Sequence, residues 1–183
     1  MYTIAAGTRV FGIQLPIQAQ STYFVADWER AAGPAELARV ARTCDRAGYA
    51  YVGVCDHVAL PEAVAGSMGT HWVDPVSTLG WLAAHTERTM LLSHVYVLPY
   101  RHPLMAAKQF ATIDHLSGGR MICGVGAGHV QAEFEALGFD FHRRGRAVDE
   151  AIPVIIDAFE ADPEIRVVVV TGAGDQAFVS GAD

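Results

Sequence analysis

Lysine is almost missing from this 183-residue chain: Lys108 stands against twelve arginines. Those basic residues form no run, and the net charge of −7 excludes nucleic acid or an anionic membrane surface as the main partner. A small molecule is the expected partner instead. Cysteine is scarce as well, with three residues, Cys44, Cys55 and Cys123, far apart, in apolar surroundings and without a Cys-x-x-Cys pair. That spacing excludes a disulfide framework and points to reduced core thiols and a cytoplasmic protein. No apolar run approaches the roughly 20 residues of a membrane helix, and no secretory leader precedes the first strand. The eight histidines show no His-Glu-x-x-His or similar ligand spacing, so no metal site is expected. A Gly-x-Ser-x-Gly nucleophile elbow, internal repeats and low-complexity tracts are lacking too.

What is present is a chain that is 51% hydrophobic and 18% charged, enough apolar material for a sizeable core. Residues 9–15 alternate apolar and polar and read as a first strand ending at Pro16. Pro34 opens a helical pattern through Leu37, Val40, Ala41, Cys44 and Ala47, and Gly48 closes it. A short apolar strand follows at 49–55, then a loop to Val73. Asp74 and Pro75 supply an N-cap and first-turn proline for a helix to about His85. The third strand is expected at 90–98, a helix at 103–116 stopped by Gly118 and Gly119, and a fourth strand at 121–125. A final helix is split over 130–137 and 145–156. Four alternations of short apolar strands with helices define an α/β class with parallel strands covered on both faces. Periodicity leaves an open doubly wound sheet and part of a barrel as alternatives.

Four patches are assigned to the strand C-termini, where parallel α/β folds bind ligands. They are Asp56-His57, Val95 to Tyr100, Leu116 to Arg120, and Gly124-Val-Gly-Ala-Gly128. Asp56-His57 sets a carboxylate beside a group that titrates near neutrality, suited to moving a proton or bonding a heteroaromatic ring. The same dipeptide also reads as a helix cap and a loop histidine. The alternating glycines permit unusual backbone angles and close approach of a ligand, and they serve a tight turn equally well. Ser117 in Leu-Ser-Gly-Gly-Arg reads as a turn cap.

A longer set of motifs carries a resemblance. Thr86-Glu-Arg-Thr89, Val95-Tyr-Val-Leu-Pro-Tyr-Arg-His-Pro103, Ala107-Lys-Gln-Phe-Ala-Thr-Ile-Asp-His-Leu-Ser-Gly-Gly-Arg120, Gly124-Val-Gly-Ala-Gly128 and Glu133-Phe-Glu-Ala-Leu-Gly138 together resemble the luciferase-like monooxygenase family. Within it the pattern is most similar to the branch using the deazaflavin coenzyme F420, with FMN as the alternative cofactor. The resemblance covers about residues 9–152 and implies a TIM-barrel (β/α)8 fold of which four units are present. It implies that His57 transfers a proton beside the cofactor ring and that Asp56 orients it. It implies that Val95 and Tyr96 form a bulge carrying a non-proline cis peptide behind the ring, and that Gly126 and Gly128 let the next loop approach the cofactor. His129 stands where sugar-phosphate dehydrogenases of the family carry a glutamate, so that substrate is not carried over. The implied reaction is hydride transfer between a small organic substrate and the deazaflavin.

The last residues read differently. Phe159-Glu-Ala-Asp-Pro-Glu-Ile-Arg-Val-Val-Val-Val-Thr-Gly-Ala-Gly174 and Ala177-Phe-Val-Ser-Gly-Ala-Asp183 resemble the enoyl-CoA hydratase (crotonase) family, implying an oxyanion donor somewhere from Ser180 to Ala182. Residues 172–177 also fit a short dinucleotide fingerprint, and residues 165–170 suit a fifth parallel strand on an open sheet edge. The domain expectation is therefore 1–152, a luciferase-like half barrel, and 153–183, a crotonase-like fragment fused near Pro153. Four or five units cannot close a barrel. Three function classes follow: a deazaflavin oxidoreductase, truncated or fused; a non-catalytic half-barrel module that associates as a homodimer; and an acyl-CoA protein with a replaced front.

Overall fold

In the computed structural model the described residues are 7–161, apart from 20, 22 and 24, together with the strand 168–170. The chain alternates as expected: β1 (Gly12–Gln14), α1 (Pro34–Ala47), β2 (Tyr51–Val54), α2 (Glu62–Met68), α3 (Pro75–Ala83), β3 (Met90–Ser93), β4 (Tyr96–Val97), α4 (Pro103–Ser117), β5 (Met121–Gly126), α5 (Gln131–Leu137), α6 (Arg144–Glu160) and β6 (Val168–Val170). Short 3-10 turns at Asp27–Ala31, Leu98–Tyr100 and Phe141–Arg143 fill three of the connections. Helix α2 lies where a plain loop is expected from the sequence; none of its residues is buried, so no apolar stripe marks it.

The helix signals act as local chemistry dictates. Pro34 occupies the first turn of α1, the Glu36 carboxylate accepts the Gly33 N–H at 2.9 Å, and Gly48 ends the helix at φ 81°. Asp74 Oδ1 accepts the Ser77 N–H at 2.7 Å to start α3, which also has proline in its first turn. Each device satisfies backbone groups that a helix end leaves unpaired.

All strand pairs in the sheet are parallel, in the spatial order β1-β2-β3-β5, with β6 beside β5. The short β4 prolongs β3 beyond a bulge and pairs with the far end of β5, Tyr96 opposite Val125 and Val97 opposite Gly126. Each strand thus lies next to its sequence neighbour, with none of the order reversal that marks a doubly wound sheet. The order is that of a (β/α) barrel, and among the described residues the sheet is not closed. The register Ile122 to Val168 through Gly124 to Val170 puts the expected fifth strand on the β5 edge.

Helices α1, α3, α4 and α6 cover the sheet around Leu37, Ala41, Val52, Val54, Leu79, Leu82, Leu91, Phe110, Ile113, Met121 and Ile155, all buried. Tyr96 and Phe110 meet edge to face at 4.8 Å in this core. The boundary expected near Pro153 falls inside α6, which runs from Arg144 through Pro153 to Glu160. The crotonase-like turn at 180–182 and the fingerprint at 172–177 lie outside the described residues. No helix among the described residues is long and apolar enough to cross a membrane.

Candidate active site

Strand β2 ends at Val54, and the next residues turn across the C-terminal rim of the sheet. Asp56, 4% exposed, accepts the Val97 N–H on Oδ2 at 2.9 Å and an Arg101 Nη2 hydrogen on Oδ1 at 2.9 Å, while Arg101 Nη1 also donates to Oδ2. The guanidinium lies 4.3 Å above the Tyr96 ring. Burial, the largest influence on Arg101, disfavours its charge, but the bonds to Asp56 outweigh it and the pKa is raised. This bidentate pair ties the end of β2 to the bulge after β3. Asp56 is therefore not the orienting partner of His57 that the resemblance implies. Its oxygens serve Arg101 and the backbone of Val97.

The partner of His57 is Glu133, from the first turn of α5. Glu133 is fully buried. Its Oε2 lies 2.8 Å from His57 Nδ1 and accepts the Tyr100 hydroxyl at 3.3 Å, while Oε1 accepts the N–H groups of Val58 at 2.6 Å and Ala59 at 3.1 Å. Burial is the largest influence on Glu133 and favours the acid form; the His57 bond and the two amides outweigh it, and its pKa is lowered. Burial raises the Tyr100 hydroxyl well above its ordinary value, with Glu133 adding to it. The His57 imidazole meets Trp72 at 4.4 Å and His129 at 5.7 Å, both edge to face. His129 is held below the ordinary histidine range by burial first and by His57 second.

The bulge carries a cis peptide between His94 and Val95, one residue ahead of the Val95-Tyr96 pair singled out in the sequence. Tyr96 is fully buried and Val95 is 38% exposed, so of the two only Val95 offers a face to a ligand. A Cβ on Gly126 would come within 2.7 Å of Val95 Cγ2, and one on Gly128, at φ 79°, within 2.7 Å of Val97 Cγ1 and 3.0 Å of Phe134. These glycines are needed so that the strand end can pack against the bulge. That packing by itself requires the absence of a side chain at both positions. His57, the bulge and the glycine turn nonetheless meet at one rim, joined through Asp56, Val97 and Gly126.

Leu116 to Arg120 does not join them. It precedes β5 and sits at the opposite, N-terminal end of the sheet, where Ser117 caps the turn by accepting the Arg120 N–H at 3.2 Å. Cys44 and Cys123 take the expected core role, whereas Cys55 is half-buried and bonds Gln18; burial raises all three thiols, Cys55 to about 11. A cavity of about 490 Å³ between α1 and α3, lined by Ile17, Leu37, His71, Val73, Ser77 and Trp81 among others, includes none of the rim residues.

Sequence reasoning missed Glu133, Tyr100, Arg101 and Trp72 as site residues. The first three lie within the motif runs quoted above. The available signal was an acid followed by a core aromatic, Glu133-Phe134, at the start of a helix.

Parallel strands in barrel order with a polar constellation on their C-terminal rim define an α/β-barrel type of fold, in which that rim is the usual place of the active site. The luciferase-like monooxygenase family matches residues 11–177, and the chain belongs to it. The match runs across Pro153 and through β6, and no comparison supports a crotonase-like tail. Limonene 1,2-monooxygenase of Rhodococcus erythropolis is 32% identical over 137 residues, which cover 72% of this chain and 34% of that protein. The coenzyme F420 dependent tetrahydromethanopterin reductase of Methanopyrus kandleri shares the fold with a TM-score of 0.60 at 24% identity, over 95% of this chain and 45% of that one. The oxygenating constituent of 3,6-diketocamphane monooxygenase from Pseudomonas putida, a type II Baeyer-Villiger monooxygenase in complex with FMN, does so with a TM-score of 0.61 at 15% identity, over 79% and 38%. The chain thus spans about a third of the length of the curated relative, 34%.

Proposed function

We propose that this chain forms the ring-binding rim of an oxidoreductase that uses coenzyme F420, with FMN as the alternative, and passes a hydride between the cofactor and a small organic substrate. The carrying observation is the meeting of the His57 imidazole, the Val95 bulge and the Gly126 turn at one end of the sheet. These residues suit the flat end of such a cofactor: Val95 presents a partly exposed apolar face on the same rim as a histidine whose side chain is 12% exposed. When bound, the cofactor supplies a ring carbon that gives or takes a hydride. His57 holds or moves the matching proton. Asp56 and Arg101 hold the bulge in place, and Tyr96 anchors it to Phe110 in the core.

The luciferase-like family match and the fold shared with an F420-dependent and an FMN-bound protein favour a flavin or deazaflavin over acyl-CoA as ligand. The partners expected from the sequence remain a small-molecule substrate and a second copy of the chain, in the cytoplasm. Fluorescence titration with F420 and with FMN, alongside size-exclusion chromatography, tests the reading. F420 binding tighter than FMN supports it, the reverse order installs the alternative, and no binding of either refutes it.

A further inference from the structure

Glu133 is surrounded by donors. The Val58 and Ala59 N–H groups point at Oε1, at 2.6 and 3.1 Å, and being amides they cannot turn to accept. The Tyr100 hydroxyl and His57 Nδ1 share Oε2, at 3.3 and 2.8 Å. An ionised carboxylate only accepts, and the lowered pKa of Glu133 keeps it ionised. Nδ1 must therefore carry a hydrogen and donate it. In a neutral imidazole this leaves Nε2 as the acceptor. Among the described residues Nε2 has no hydrogen-bond partner, and Thr89 Oγ1 is the one fully buried side-chain polar atom there without one. Nε2 is accordingly open.

We propose that Glu133 is a positioning residue that locks His57 in the Nδ1–H tautomer, so that an unprotonated Nε2 faces the ligand and accepts a proton from its hydroxyl or N–H group. The O–H or N–H bond breaks, its electron pair stays on the ligand heteroatom, and the proton bonds to Nε2. The resulting imidazolium keeps Nδ1–H on the Glu133 carboxylate as an ion pair. The proposed function enters only in naming the molecule at Nε2; the tautomer follows from the hydrogen bonds and the ionised Glu133 carboxylate.

Glu133→Gln gives the decisive test. The two backbone donors require an oxygen where Oε1 stands, so the glutamine NH2 falls opposite Nδ1 and turns it into an acceptor. The tautomer must then invert, and Nε2 becomes a donor. Long-range 1H–15N correlation of the labelled, ligand-free chain, above about pH 8 where an ordinary imidazole is neutral, reads the tautomer directly. Support is an Nδ1–H pattern for His57 in the folded wild type and an Nε2–H pattern in E133Q. An Nε2–H pattern in the wild type, or an unchanged pattern in a folded E133Q, overturns the proposal. If E133Q does not fold, the wild type in native buffer is compared with the wild type in urea, where Nε2–H should dominate; the same pattern in both also overturns it. Absence of F420 and FMN binding alongside an Nδ1–H pattern would remove the ring-binding reading and leave the lock intact.

Discussion

At the N-terminal ends of the strands, Asp45 accepts the N–H groups of Glu87, Arg88 and Thr89 at 3.1, 2.8 and 2.7 Å. Beside it the buried Arg120 side chain donates to Ser117 O, Thr86 Oγ1, Thr89 O, Ala83 O and Thr86 O, all within 3.0 Å. At the C-terminal ends, Asp56 is tied to Arg101 and Val97, and Glu133 to His57, Tyr100 and two amides. Both networks are buried and, Thr89 Oγ1 in the lower one excepted, hydrogen-bonded, as buried polar groups generally are. They differ in where their last valence points. The lower network directs its donors at main-chain and hydroxyl oxygens of neighbouring loops and so fastens the scaffold. The upper one ends in a ring nitrogen with no hydrogen-bond partner among the described residues. A buried polar cluster is thus informative about function by what it leaves unsatisfied toward solvent, rather than by its size.

If that contrast is right, breaking the lower network should cost stability and spare the rim. Arg120→Met strands several carbonyl groups and should destabilise by about 4 kcal/mol in urea titration, with the His57 tautomer unchanged wherever the chain is folded. Asp45→Asn places an NH2 among three amide donors and should cost about 2–3 kcal/mol by the same measurement. Asp56→Asn loosens the bulge and leaves Arg101 with only the longer ion pair to Asp74, at 3.7 Å. A loss of roughly 2 kcal/mol is expected, together with a more than tenfold weaker F420 titration; undiminished binding would separate the clamp from the ring site. Tyr100→Phe removes one long hydrogen bond and should cost no more than about 1 kcal/mol.

The smallest effect concerns acid. Asp45 and Glu133 both have lowered pKa values, burial opposing and hydrogen bonds prevailing in each. A carboxyl group depressed in the fold adds stability above its unfolded pKa, and that contribution disappears as pH falls through the folded value. Stability should therefore decline below the ordinary carboxylate range, and each of E133Q and D45N should flatten that acid limb in urea midpoints measured against pH.

Much of the fold was legible because its signals are local. Proline at the first turn, glycine past the last, and Asp74 as a cap mark α1, α3 and α4 in sequence as they do in space. Helix α2 escaped because it buries nothing. The helix expected at 145–156 extends to Arg144–Glu160, and the domain boundary expected near Pro153 falls within it. The Leu116 to Arg120 segment was assigned to the wrong end of the sheet, although a loop that precedes a strand must lie at that strand's N-terminal side.

The sequence by itself determined the alternation of strands and helices, the family resemblance over most of the chain, and His57 beside the bulge and the glycine turn. Tertiary structure alone decided the strand order and the division of labour between two acids. Adjacent in sequence, Asp56 and His57 belong to different networks, while Glu133 reaches His57 from 76 residues away. Hydrogen bonds are directional and short, so which carboxylate governs an imidazole depends on where folding carries its oxygens, and no local pattern encodes that.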